Sequence, residues 1–285
     1  MSRAFFFLAA GAGIVLVALV GQSALAGSKP GDAGGNVTRA DLVGVNFVET
    51  CRFSHMASDD PIVFPGTSGA SHHHTFVGNT TTDAFSTFGS LRAGGTTCRR
   101  QADTAAYWMP TLRQGETAIA PTHATIYYRR GTLDEVETFP NGFRMIAGDA
   151  MATAPQGLRI TFWNCGIAGG LAPSSSIPTC PSVRGSSLRL HVRFPSCWDG
   201  KSLDSFDHKS HMAYAMRGRC PATHPVAVPA IAVIFRYPTL GGPDFSLSSG
   251  GQYSAHADFF NAWRPGELKK LVNDCLNALV HCGRA

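Results

Sequence analysis

Eight cysteines, the first at Cys51 and the last at Cys282, constrain this chain more than any other feature of its sequence. Their number is even and all follow an N-terminal export signal, so disulfides are expected to staple the fold. Arg3 supplies the positive start of that signal, Ala4 to Val20 its apolar run, and Ala24-Leu25-Ala26 a small-x-small cleavage site. The run is almost long enough to span a bilayer, which leaves an uncleaved anchor as the alternative. The well-placed Ala-x-Ala favours cleavage. We therefore read 1–26 as a signal peptide, and the mature protein as secreted, extracellular and not membrane-bound.

Which cysteines pair is not written in the spacing, because eight allow on the order of a hundred connectivities. Cys165 with Cys180 and Cys197 with Cys220 are candidate local staples. Cys275 and Cys282 would lie roughly 10 Å apart along a straight helix, too far for a disulfide. They can pair only if the chain turns before Cys282. No CxxC pair occurs, so a four-cysteine zinc site is not expected.

Charged residues make up only 15%, against 31 Gly and 17 Pro, which suits a loop-rich β protein better than a helical bundle. Residues 27–41 read as a flexible leader and 42–285 as one domain. Short β-type runs recur, among them 43–48, 124–129, 143–147, 158–163, 188–194 and 230–237, separated by Gly, Pro and Asn turn signals. Leu188 to Phe194 alternates apolar and polar cleanly, as a half-buried strand does. Only the end is helical in pattern: Pro265 opens a stretch with Leu268, Leu271, Val272 and Cys275 on one face. The expected fold is mainly β, a disulfide-containing β-sandwich or jelly-roll-like single domain with long ordered loops and a C-terminal helix. The 24 basic and 19 acidic residues are scattered, which gives nucleic-acid binding little support.

The densest chemistry lies in Cys197-Trp198-Asp199-Gly200 and Asp204-Ser205-Phe206-Asp207-His208-Lys209-Ser210-His211. So many charged groups make a poor core, and an ordered polar loop is expected. His208 and His211, three apart, can converge on one ion in a turn; alternatively Asp207 orients His208, or the loop is held by Asp-to-backbone bonds. In Ser71-His72-His73-His74, an extended chain puts His72 and His74 on one side and His73 on the other, half of a typical metal site. Solvated loop histidines are the alternative. His256 and Asp258 share a face of an extended segment in the same way, and His224 is held between Thr223 and Pro225. Arg144 and Asp149 are a possible ion pair. Tyr107-Trp108 before Met109-Pro110 offers either a sugar-stacking groove or core. There is no G-x-S-x-G elbow, HExxH, P-loop or dinucleotide fingerprint.

These motifs occur in one order: Asp60-Pro61-Ile62-Val63, Ser71-His72-x-His74, Ala106-Tyr107-Trp108-x-Pro110, Phe139-Pro140-x-Gly142-Phe143-Arg144-Met145. Phe194-Pro195-x-Cys197-Trp198-Asp199-Gly200, Asp207-His208-Lys209-Ser210-His211, Cys220-Pro221-x-Thr223-His224-Pro225 and His256-Ala257-Asp258-Phe259 follow. From about Asn46 to Cys275 the chain resembles a domain-of-unknown-function family of secreted fungal and actinobacterial proteins, joined in fungi to WSC-type carbohydrate-binding modules. The resemblance implies an extracellular, disulfide-containing domain in polysaccharide surroundings, and no reaction.

The expected function is metal-assisted chemistry on extracellular polysaccharide, of cell-wall or plant origin. His72, His74, His208, His211 and His256 are the candidate ligands of a divalent zinc or copper ion. Asp204, Asp207, His208 and Asp258 are the candidate catalytic groups, and Tyr107, Trp108, Trp198 and Lys209 the candidate substrate contacts. The alternative is a non-catalytic glycan- or metal-binding protein with Tyr107, Trp108, Trp198 and Trp263 as a stacking platform. A purely structural exported domain is the third reading.

Overall fold

Apart from Met1, the computed structural model describes residues 37–166 and 172–284. The expected signal peptide beyond Met1 and most of the expected leader lie outside the described residues. Ten strands make the large sheet: β1 (Asn46–Ala57), β2 (His74–Gly78), β3 (Ala106–Pro110), β4 (His123–Arg129) and β5 (Arg144–Gly148), then β6 (Thr161–Asn164), β7 (Arg189–Arg193), β8 (Ala230–Arg236), β9 (His256–Phe260) and β10 (His281–Arg284). Their order is β5-β9-β3-β2-β1-β4-β8-β7-β6, with β10 added in parallel to β1. All other pairings are antiparallel.

The long strand β1 divides this sheet into two layers. Its first part, Asn46–Arg52, pairs with β4; from Phe53 onward it pairs with β2, with a register shift between Phe53 and His55. One continuous core draws on both halves, with Phe47, Tyr128, Leu190 and Phe235 from one side and Val77, Tyr107 and Phe259 from the other. The fold is thus the mainly β, sandwich-type architecture expected. Period-two alternation does the sorting: in β7, Leu190 and Val192 are buried while Arg189, His191 and Arg193 point outward.

Several boundaries differ from the sequence reading. The strand expected over 158–163 begins only at Thr161, because a turn closes first from Ile160 N–H to Gly157 O. The first strand begins at Asn46 rather than Val43, behind a turn in which Asp41 accepts from Thr38. The C-terminal helix, α2 (Pro265–Leu271), runs into a π-helical turn over Val272–Asn277. Leu279, at φ 57°, then reverses the chain, and β10 carries Cys282 back to Cys275. The other disulfides are Cys51–Cys98, Cys165–Cys180 and Cys197–Cys220.

The core also holds polar groups. Fully buried Glu49 is paired with Arg100. Asp103 accepts from the Tyr107 hydroxyl, which also meets the Tyr128 hydroxyl at 2.5 Å; the indole of Trp263 donates to Tyr128.

Candidate metal centre

On β2, β3, β9 and β5 the residues facing away from the main core form a second, smaller one. Phe76, Trp108, Ile146 and Phe260 pack there, covered by Ile62 from the loop before β2 and by Leu91 from α1 (Phe88–Ala93). The register places Asp258 between Trp108 and Ile146, and His74 beside Pro110. His256 and Asp258 therefore lie on the same side of β9, as alternation requires.

At one end of this face three imidazoles converge. His72 Nε2 is 3.2 Å from His256 Nε2, and His74 Nε2 is 3.5 Å from the same atom. One ring nitrogen from each of the three lies within 4.8 Å of those of the other two. His73, between the two neighbours, turns to the other side and meets Thr111 Oγ1 at 2.9 Å.

Backbone carbonyls set the tautomers of two rings. His74 Nδ1 lies 3.1 Å from Asp59 O, and His256 Nδ1 lies 2.9 Å from Ser254 O. A carbonyl only accepts, so each Nδ1 carries the proton and each Nε2 presents a lone pair. Burial pulls the pKa of all three histidines down: His72 to about 4, His256 to about 3, and His74 well below the usual imidazole value. They are neutral at pH 7. In His74 and His256 the second nitrogen is thus committed to an outer partner, a feature metal-ligating histidines share.

Asp258 stands beside the cluster, 1% exposed, with Oδ2 3.9 Å from His256 Nε2. Neither of its carboxylate oxygens has a hydrogen-bond partner. Burial, followed by repulsion from Asp60, holds its carboxyl well above the ordinary range. Asp60 is itself buried and accepts from the Ile62 and Val63 amides. Lys209 donates to Gly148 O at 2.7 Å, and its charge acts on both Asp258 and His256.

Gly148 lets the edge strand approach. It pairs with His256 at φ 85°, and a Cβ there would come within 2.4 Å of Ala255 O and 2.8 Å of His256 Cα. Only glycine tolerates both the dihedral and the closeness.

The 204–211 loop does not join the cluster. It lies along the free edge of β5, where Arg144 N–H donates to Leu203 O and Ile146 N–H to His208 O. His211, expected as a ligand, has both ring nitrogens engaged, Nε2 with Arg144 O and Nδ1 with Ser205 Oγ, each at 2.8 Å. His208, also expected as a ligand, sits at φ 59° with Nδ1 2.9 Å from Asp204 Oδ1. Asp204 also faces Arg144 at 3.8 Å, so Arg144 meets Asp204 rather than Asp149. Asp207 caps the turn, accepting from the Ser210 and Lys209 amides and from Ser205 Oγ. The Ser210 amide is the main reason its carboxyl lies far below the usual range. Of the catalytic candidates, only Asp258 adjoins the histidines.

The stacking readings meet a steric objection. Tyr107 and Trp108 are fully buried, one in each core, and Trp263 is 1% exposed, so none offers a ring face to a sugar. Trp198 is half-buried, its indole donating to Ser202 O. His224 bridges to Ser210 O. Cys51, Cys98 and Asp103 also lie together, but the two thiols are spent in a disulfide.

Sequence reading missed Gly148 and the carbonyls of Asp59 and Ser254, and gave Asp60 only as part of the Asp60-Pro61-Ile62-Val63 motif. A glycine ending a strand opposite His256 and a carbonyl two residues before a histidine carry no signal in a single sequence.

A family model described as Domain of unknown function (DUF1996) matches residues 60–263. The matched span runs from Asp60, beside the cluster, to Trp263 in the core. No curated protein and no solved structure matches the chain.

Proposed function

The chain belongs to the DUF1996 family, and on that premise we propose that it is an exported metalloprotein performing metal-assisted chemistry on extracellular polysaccharide. His72, His74 and His256 hold one divalent ion, zinc or copper. The observation that carries this reading is the convergence of three Nε2 atoms, two of them with Nδ1 committed to carbonyls. Neutral imidazole suits both metals. Every cysteine is in a disulfide, so no thiolate competes for the ion. The four disulfides suit an oxidising compartment, and no helix among the described residues is long and apolar enough to cross a membrane.

A metal held by three histidines supplies Lewis acidity and, for copper, redox chemistry. The protein's own part is to fix the rings. Asp59 and Ser254 set two tautomers, Gly148 lets β5 close against His256, and Asp258 adds a carboxyl at the edge of the donor set. Extracellular polysaccharide is the substrate class that the sequence resemblance implies; the donor set supports the metal. A second reading, metal binding without catalysis, is favoured by burial: His74 and His256 are enclosed, and only His72 is partly exposed.

Elemental analysis of the purified mature protein tests the proposal. One zinc or copper per chain is expected in the wild type and in His73→Ala, and none in His74→Ala or His256→Ala. Metal content unchanged by the last two substitutions overturns the assignment. Glycan-release screening of the loaded protein against His256→Ala then separates catalysis from binding.

A further inference from the structure

The outer face of the other half of the sheet carries a line of three arginines with one histidine among them. Strand register aligns Arg52 on β1 with His123 on β4, His123 with Arg236 on β8, and Arg236 with Arg189 on β7. At the usual spacing between strands, the four positions span about 14 Å. Three depressions adjoin along this line and meet at His123. One lies between Arg52 and Arg99, one beside Arg236, and one between Arg236 and Arg189. Among the described residues no Asp or Glu lines any of them. Hydroxyl and amide side chains fill the intervals, including Thr50, Thr97, Gln101, Thr122, Ser186 and Thr239.

Such a surface concentrates positive potential along a groove and attracts a polyanion. Arginine forks match carboxylates in particular. Two aromatic rings of this face are covered by the protein's own cations, and among the described residues the half-buried Phe53 is the one further phenyl ring lining the first depression. Arg129 lies 4.6 Å over the Tyr127 ring and Arg193 4.8 Å over Phe162, whose ring also stacks on His191. A single-stranded nucleic acid needs a succession of open ring faces for its bases, and a lone half-buried Phe53 does not supply one. Hydroxyls interleaved with guanidinium groups suit a sugar chain bearing carboxylates, which offers one hydrogen-bonding ring after another.

We propose that this row is a docking groove for an acidic polysaccharide, whose uronate carboxylates meet Arg52 and Arg236 while its hydroxyls meet the threonine and glutamine side chains between them. Arg99 and Arg189 add to the field along the same line, and the His123 ring sits where the three depressions meet. The inference stands on a different part of the molecule from the metal centre and does not depend on it.

Titration of the full mature chain with polygalacturonate, dextran and oligothymidylate tests it. Polygalacturonate is expected to bind, and the binding to be lost in about 1 M salt, where charges are screened within about 3 Å. Arg52→Gln/Arg236→Gln should weaken it at least about tenfold, as loss of charge-assisted hydrogen bonds does. Arg52→Lys/Arg236→Lys should retain more of the affinity than the glutamine pair. Because Arg236 also donates to Ser187 Oγ, thermal unfolding is followed in parallel. Should the double variant unfold, Arg52→Gln alone, at an exposed side chain, should still weaken binding several-fold. His256→Ala should bind polygalacturonate like the wild type, which separates failure of the groove from failure of the metal assignment. Equal binding of dextran, oligothymidylate binding as tight as polygalacturonate, or unchanged affinity in the folded arginine variants overturns the proposal.

Discussion

His74 and His256 face each other with Nε2 atoms 3.5 Å apart, from the two strands that flank β3, and each has its Nδ1 proton committed to a backbone carbonyl. No proton is left to lie between them, so two lone pairs confront each other in a buried space. A cation shared by both, and by His72, removes that repulsion.

Metal loading should therefore stabilise the fold. With free zinc at about a hundred times its dissociation constant, linkage predicts about 2.7 kcal/mol of added stability. Chelation should lower the thermal midpoint by several degrees, and His74→Ala should abolish that response. Calorimetric scans with and without chelator check it. An identical midpoint in both would count against a bound ion.

Gly148→Ala should disturb the centre without touching a ligand. Its φ of 85° and the 2.4 Å approach to Ala255 O force β5 away from His256. We expect a loss of about 1–3 kcal/mol of stability and at least about tenfold weaker metal binding. Isothermal titration and urea unfolding measure the two effects. Native metal affinity in the folded variant would show that the edge strand does not position His256.

Arg100→Met should be among the costliest single changes. Burial already lifts the Glu49 carboxyl above its usual range despite the pull of Arg100, its main opposing influence. Removing the guanidinium leaves the buried acid only the backbone amide of residue 100 and the charge of Arg99, a loss of about 3 kcal/mol. Adding Glu49→Leu should recover most of it. Urea denaturation of the two variants decides; a double variant no better than the single would exclude the uncompensated acid as the cause.

Acid stability should depend on His191. Burial, then the charges of Arg189, Arg193 and Arg129, lower its pKa from 6.5 to about 3. The unfolded chain thus takes up the proton first, so this contribution is complete above about pH 6.5. It is lost as pH falls towards about 3. His191→Gln should flatten the decline in the urea midpoint over that window, in chelator, leaving the part due to the other neutral histidines. An unchanged slope would rule His191 out as a source of acid sensitivity.

Period-two alternation made part of this site legible. His72 with His74, and His256 with Asp258, are each two apart in extended chain, so their shared sides follow from strand geometry alone. His208 and His211 misled for the opposite reason. Their spacing of three suits a shared ion, but in a turn with His208 at φ 59° each ring finds its own partner, Asp204 or Arg144 O. By residue type alone Tyr107 and Trp108 fit either a sugar-stacking groove or core. β3 is covered on both faces, by the main core and by Ile62 and Leu91.

By itself the sequence determined the β class, the even set of cysteines and the shared side of His72 with His74 and of His256 with Asp258, because these are local consequences of residue type and period. Only tertiary structure decided that β2 and β9 flank β3 in a register that brings His72, His74 and His256 together. The same holds for the row of Arg52, His123, Arg236 and Arg189, drawn from strands up to about 180 residues apart. Strand order and register are set by packing both layers onto one core, a condition on the whole chain that no short stretch of it encodes.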